Sequence, residues 1–257
     1  MLIHHIRNAT MIIEANDQVI LIDPMLGGVG GMPPLAFFRF KARRNPIAPL
    51  PDVVHELLDR VTHCVITHNH PDHLDKVGAK FLRESGIPLY CSIWEEDIYR
   101  GKGAEIANTI DYWQPTPFLG GSIEGIPAKH GYGFIAMPMG KVMGYHIELP
   151  GQPSLYLASD TIYTEDVHKV LTEYKPDIAV FPAGSAQFDI FQPLMMHMED
   201  MLMFVETAPG KTIANHLEAV NHCPTTREEL TQVLTEKGHS EKVWIPEDGE
   251  GRNYLSE

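Results

Sequence analysis

Apolar positions in this chain fall into short runs closed by Gly, Pro, Asn or Asp. ATMIIEA and QVILIDP are β-branched runs separated by Asn16-Asp17, a turn pair. They predict a hairpin whose second strand ends at Asp23-Pro24. From residue 52 the pattern alternates. PDVVHELLDR predicts a short helix, VTHCVITH a buried strand, and LDKVGAKFLRESG a helix closed by Gly86. IPLYCS then predicts a strand and WEEDIYRGKG a helix-like turn. Further strands are expected at SIEGIPAKH, KVMGYHIEL, PSLYLASD, DIAVFPAG and KTIANHL, and helices at TEDVHKVLTEY, MEDMLMFVET and TTREELTQVLTEKG. The last carries a capping box, Thr225 with Glu228 or Thr226 with Glu229, and Gly238 beyond its end.

Strands in pairs with interspersed helices predict an α/β sandwich in which helices cover sheets. No repeat, low-complexity tract or linker divides the chain, so one domain over residues 1–257 is expected. The segment MLGGVGGMPPLAFFRFKARRNPIAPLP breaks the pattern with Gly, Pro and the aromatics Phe37, Phe38 and Phe40. Two readings stand side by side: a binding or lid loop, or a surface insertion with its aromatics tucked onto the core.

Composition narrows the picture. Apolar residues at 44% and charged residues at 21% are ordinary globular values and exclude a disordered chain. A formal net charge of −14 argues against nucleic acid or an anionic membrane as partner and favours a small-molecule substrate. A phosphorylated substrate stays admissible, because a bound cation reverses the local sign. The three cysteines, Cys64, Cys91 and Cys223, form no CxxC pair, which predicts reduced thiols and a cytoplasmic protein. The N-terminus lacks the pattern of a secretory leader, and no apolar run approaches the roughly 20 residues of a membrane helix. A homo-oligomer is compatible with the sequence.

Candidate chemistry concentrates in VITHNHPDHLD, Val65 to Asp75, which sets His68, His70, Asp72 and His73 behind an apolar run. Asn69 and Pro71 favour a turn that lets alternate side chains converge. Imidazoles with carboxylates suit zinc, or manganese or iron at similar geometry. His68 and His70, two apart, can share one ion, and Asp72 and His73 a second. Two ions need more ligands than one loop supplies, so distant partners are expected at strand ends. His130 closes IEGIPAKH, Asp160 closes SLYLASD, and His216 follows KTIAN. A lone His or Asp after a strand is ordinarily a turn or cap residue. Three of them beside H-x-H-x-D-H favour a metal site.

The order H-x-H-x-D-H, then His, Asp and His, resembles the metallo-β-lactamase superfamily, from VILIDP to ANHLEAVNH. The resemblance implies a four-layer αββα sandwich with two divalent metal ions, zinc foremost, at one edge of the sheets. It places His68, His70 and His130 on the first ion and Asp72, His73 and His216 on the second. Asp160 would bridge them, and Asp23 would orient a ligand. Within the superfamily the chain looks most like the ascorbate-phosphate lactonase-like branch, through IDP, IPAKHG and its length. It departs from that branch after the FPAG strand, where SAQFDIFQPLMMHM puts His197 in place of a Gly-Gly-His stretch, and in ANHLEAVNHC around the final ligand.

These ligands imply a metal-dependent hydrolase. A water between two cations loses its proton near neutral pH, and the ions polarise a carbonyl or phosphoryl oxygen. Asp72 can orient or deprotonate that water, mainly where the second ion position is empty, and His197 and His222 are candidates for protonating a leaving group or binding an oxyanion. The expected substrate is a small, anionic ester, lactone or phosphoester. The alternatives are a nuclease or RNA-processing phosphodiesterase, or a non-catalytic metal-binding sensor of the same fold. The acidic charge and the single basic cluster, Lys41 to Arg44, count against the nuclease. GGVGGMP does not open a helix and is no dinucleotide site, and neither a Walker phosphate loop nor a nucleophile elbow occurs. Cys223 beside His222 is expected to be a quiet thiol.

Overall fold

The computed structural model describes residues 1–255. The N-terminal part builds one sheet from β1 (Leu2–Arg7), β2 (Thr10–Ala15), β3 (Gln18–Ile22), β4 (His63–Val65), β5 (Leu89–Ser92) and β6 (Ile106–Ile110). A second sheet holds β7 (Thr116–Phe118), β8 (Gly121–Ala128), β9 (Val142–Glu148), β10 (Leu155–Leu157), β11 (Ile178–Pro182), β12 (Lys211–Asn215) and β13 (Val243–Trp244). The chain then returns to the first sheet as β14 (Gly251–Asn253), which pairs with β1. The strand orders are β14-β1-β2-β3-β4-β5-β6 and β13-β12-β11-β10-β9-β8-β7.

The β2–β3 hairpin forms as the pattern predicts. Ala15 pairs with Gln18, and Asn16 and Asp17 both adopt positive φ, 49° and 60°, as a two-residue turn of matching twist requires. Both strands are apolar on both faces because each face meets a different layer. Met11, Ile13, Ile20 and Ile22 join Tyr145, Leu155, Val180 and Ile213 of the second sheet in the core between the sheets. Ile12 and Leu21 point outward onto α1 (Val53–Leu58), α2 (Lys76–Ser85) and α3 (Glu96–Gly101), through Val54, Leu57, Leu82 and Tyr99. The second sheet repeats the scheme. Ala179 and Phe181 pack beneath α4 (Glu165–Lys169), α5 (Met198–Thr207) and α6 (Arg227–Glu236), against Val167, Phe204 and Leu230. The result is the four-layer αββα sandwich.

Caps set the helix limits. Asp75 accepts the Gly78 amide at the start of α2, and Gly86 at φ 63° ends it. Of the two capping alternatives on α6, Thr226 is the cap and accepts the Glu229 amide at 3.1 Å. The helix expected over TEDVHKVLTEY is α-helical only to Lys169 and continues as a π-helical turn, Val170–Tyr174. The strand expected over VTHCVITH stops at Val65, and Ile66 and Thr67 already lead into the candidate loop. Among the described residues no helix is long and apolar enough to cross a membrane.

The Gly- and Pro-rich segment after β3 is tied down by polar side chains. Buried Arg7 donates to the carbonyls of Met25, Gly27 and Ala48 at 2.7, 2.9 and 3.0 Å. Asn221 accepts the Leu35 amide at 2.9 Å and donates to the Ala36 carbonyl at 2.7 Å. Phe40 is half-buried, whereas Phe37 and Phe38 are exposed, so the tucked-aromatic reading holds for only one of the three.

Candidate metal centre

The candidate side chains emerge where strands of both sheets end. The loop after β4 carries His68, His70, Asp72 and His73; β8 leads to His130, β10 to Asp160 and β12 to His216. Three residues at these ends take the left-handed backbone, Asp23 at φ 45°, Ser159 at 61° and His216 at 59°. Left-handed residues other than glycine are uncommon, cost free energy, and cluster at functional sites. At His216 the backbone turns straight out of β12.

Two groups of ligand atoms result. His68, His70 and His130 form one, and Asp72, His73, Asp160 and His216 the other; within each, one ligand atom per residue lies within 4.8 Å of all the others. Asp160 Oδ2 stands between them, 3.5 Å from His130 Nε2, 3.3 Å from His73 Nε2 and 3.6 Å from His216 Nε2. His216 Nε2 is also 3.4 Å from Asp72 Oδ2.

The opposite ring nitrogens are held from behind. His130 Nδ1 donates to the Leu194 carbonyl at 2.7 Å. His73 Nδ1 donates to Asp23 Oδ2 at 2.9 Å, while Asp23 also accepts the Thr67 amide and hydroxyl at 2.8 and 2.7 Å. Asn8 donates to the Asp72 carbonyl at 3.0 Å and accepts the His216 amide on its own carbonyl at 2.8 Å. Two of the facing ring nitrogens are left unpartnered. Nε2 of His68 and of His73 is buried with no hydrogen-bond partner. Buried polar atoms are nearly always satisfied, so orphaned nitrogens aimed at carboxylates and imidazoles fit a cation between them.

A family model described as the beta-lactamase superfamily domain matches residues 18–216. The chain belongs to the metallo-β-lactamase superfamily. It is 34% identical to the UPF0173 protein YddR of Bacillus subtilis, over 98% of this chain and 99% of that one. It is 25% identical to a UPF0173 metal-dependent hydrolase of Methanopyrus kandleri, over 95% of each. Among solved structures, the isothiocyanate hydrolase from Delia radicum gut bacteria aligns over 100% of both chains, with a TM-score of 0.91 and 28% identity.

Burial and charge set the protonation of this superfamily site. Burial and the charges of the other imidazoles hold His68 well below its ordinary range, and burial followed by the charge of His130 lowers His70 to about 4. Burial alone would lower His73 and raise Asp72. The Asp160 and Asp23 carboxylates instead push His73 up to about 10, and the His216 hydrogen bond with the charges of His73 and His216 keeps Asp72 ionised. The histidine trio and the carboxylate-bearing quartet are thus two chemically different halves.

The two other candidate histidines lie apart from each other. His197 is the N-cap of α5; its Nδ1 accepts the Asp200 amide at 3.4 Å and sits 3.2 Å from the Tyr132 hydroxyl. His222 is buried and stacks on Phe188 at 5.8 Å between ring centroids and 15° between planes. The charges of Asp72, His216, Asp160 and His130 reach it, its Nδ1 has no partner, and burial lowers it to about 4. Sequence reasoning missed Asn8 and Thr67, and it did not foresee that Cys223, expected to be a quiet thiol, sets its Sγ 3.5 Å from His216 Nδ1. Asn8 sits at positive φ, 58°, between β1 and β2, and only its place in the fold reveals its role.

Proposed function

We propose that this chain is a metal-dependent hydrolase that holds two divalent ions, zinc first, with manganese or iron as alternatives, and acts on a small electrophilic substrate. The observation that carries this reading is the paired ligand groups, with their buried, unpartnered His68 and His73 nitrogens. His68, His70 and His130 would hold one ion and Asp72, His73 and His216 the other, with Asp160 shared. When bound, the ions supply a water acidified toward neutral pH and a Lewis acid for the heteroatom under attack.

The chain's own groups then divide the work. Asp23 accepts Nδ1–H of His73, so that Nε2 is the nitrogen that would hold the ion. Asp72 stays ionised and can accept a hydrogen bond that orients the attacking water. His222 is neutral near pH 7, so its part is an N–H donated to the oxyanion of the transition state. His197, occupied as a helix cap beside Tyr132, would serve from the rim.

Likeness to the isothiocyanate hydrolase supports heterocumulenes as a substrate class, beside the esters, lactones and anionic phosphoesters that the sequence suggests. The test is a panel of 2-phenylethyl isothiocyanate, phenyl acetate, a γ-lactone, 4-nitrophenyl phosphate and a bis-aryl phosphodiester, offered to zinc-loaded protein. Turnover of one class, lost on chelation and in the His68→Ala, His70→Ala double variant, is expected. Turnover of the phosphodiester alone favours the nuclease reading, and metal binding with no turnover favours a sensor.

A further inference from the structure

Three loops linked to segments of the candidate metal centre expose apolar side chains to solvent. Phe37 and Phe38, Phe134 and Met137, and Ile190 and Phe191 are between 51% and 92% exposed. Each loop is joined to a segment that carries or holds a candidate site residue. Phe134 and Met137 follow His130 by a few residues. Ile190 and Phe191 precede Leu194, whose carbonyl holds His130. The loop with Phe37 and Phe38 hangs from Asn221, next to His222.

The loops are also joined to one another. The Asp189 carboxylate accepts the amides of Phe37, Phe38 and Arg39 at 2.9, 2.8 and 2.9 Å. The Tyr132 amide donates to the Pro193 carbonyl at 3.2 Å. Beneath them Met25, Ile135, Leu194, Met195 and Val220 form a small buried core of their own. Hydrogen bonds from their backbone fix the loops that carry these exposed side chains. Clustered apolar exposure on loops joined to a polar site marks a candidate binding surface. The surface is continuous toward the ligands, since Phe188 in the same loop as Ile190 and Phe191 stacks on His222.

We propose that this rim binds an apolar, uncharged tail of the substrate, an aryl or alkyl group carried by the electrophile that reacts beside His222. The proposal rests on the hydrolase reading and adds the substrate's chemical class. A preformed apolar surface lowers the ordering cost of binding, so the tail contributes to affinity.

The test uses zinc-loaded protein and isothiocyanates with methyl, ethyl, butyl and 2-phenylethyl tails, with matched acetate esters if those are the substrates turned over. kcat/KM should rise about fourfold for each added methylene, through KM. In the Phe38→Ser, Phe134→Ser double variant, the ratio of kcat/KM for the 2-phenylethyl over the methyl substrate should fall about tenfold. Calorimetry with the unreactive N-(2-phenylethyl)acetamide should show binding that N-methylacetamide lacks and that the double variant weakens. Hydrolysis indifferent to tail length overturns the inference and leaves the hydrolase reading intact. If no substrate is turned over, the hydrolase reading fails, and equal binding of the two amides separately rejects the rim. A dimer that the double variant dissociates would make the rim an interface between copies of this chain and also overturn it.

Discussion

His73 is clamped between two carboxylates, its Nδ1 2.9 Å from Asp23 Oδ2 and its Nε2 3.3 Å from Asp160 Oδ2. Asp23 reaches this position because β3 ends in a left-handed turn, and Thr67 fixes both of its oxygens. Asp23→Ala should therefore lower affinity for the ion at Asp72, His73 and His216 by about 10- to 100-fold and leave the His68, His70, His130 position less affected. Competition with a chromophoric chelator measures both; equal loss at the two positions would contradict the assignment of Asp23 to one of them.

Arg227 ties the segment after His216 to the C-terminal part of the chain. It donates to Glu218 and Asp248, both at 2.6 Å, and to the Pro246 carbonyl at 2.7 Å. Glu218 and His216 are both left-handed, at φ 53° and 59°, a conformation that needs such support. Arg227→Met should cost about 2 kcal/mol of stability, because two partly buried carboxylates lose their partner. Urea unfolding of metal-loaded protein reads the change, and a loss below a few tenths of a kcal/mol would show the tie to be superficial.

Acid should weaken the fold through buried histidines away from the metal centre. His146 is buried, its Nε2 has no partner, and burial lowers its pKa below the ordinary 6.5. The unfolded chain takes up that proton below about pH 6.5 while the native state refuses it. Stability is thus complete above about pH 6.5 and falls as pH drops toward the lowered native value, by up to about 1.4 kcal/mol per unit for this residue. His146→Leu should flatten the slope between pH 6.5 and 5 relative to wild type, and an unchanged slope would place the acid sensitivity elsewhere.

The loop that bears Phe37 and Phe38 should depend on Asp189. Asp189→Ala removes the acceptor of three amides and should speed tryptic cleavage at Arg39, Lys41, Arg43 or Arg44 several-fold. Global stability should change by less than about 1 kcal/mol, since the lost bonds lie at the surface.

These contacts also mark what was legible in the sequence. The β2–β3 hairpin, α5 and α6 could be read because turn and cap residues sit beside regular apolar patterns. Leu2–Arg7 could not, because His4, His5 and Arg7 interrupt its apolar pattern; only the fold shows Arg7 buried against three loop carbonyls. β7 contains Pro117, and β14, Gly251–Asn253, is exposed throughout, so neither has a pattern to find. The loop after β3 stayed ambiguous because Asn221 and Asp189, which hold it, lie more than 140 residues away. At the site, His68 to His73 announce themselves by crowding, and His130, Asp160 and His216 by following apolar strands. Asn8 and Cys223 sit in no such pattern and act through a carbonyl, an amide and a thiol.

The central claim is that two ion positions are built from one loop and three strand ends. Metal content of protein loaded with excess zinc and freed of unbound ion by desalting tests it most directly. Two equivalents per chain are predicted, falling to one in the His68→Ala, His70→Ala double variant, with the fold retained by circular dichroism. Folded wild-type protein that holds no metal, or a double variant that still holds two equivalents, would contradict the account.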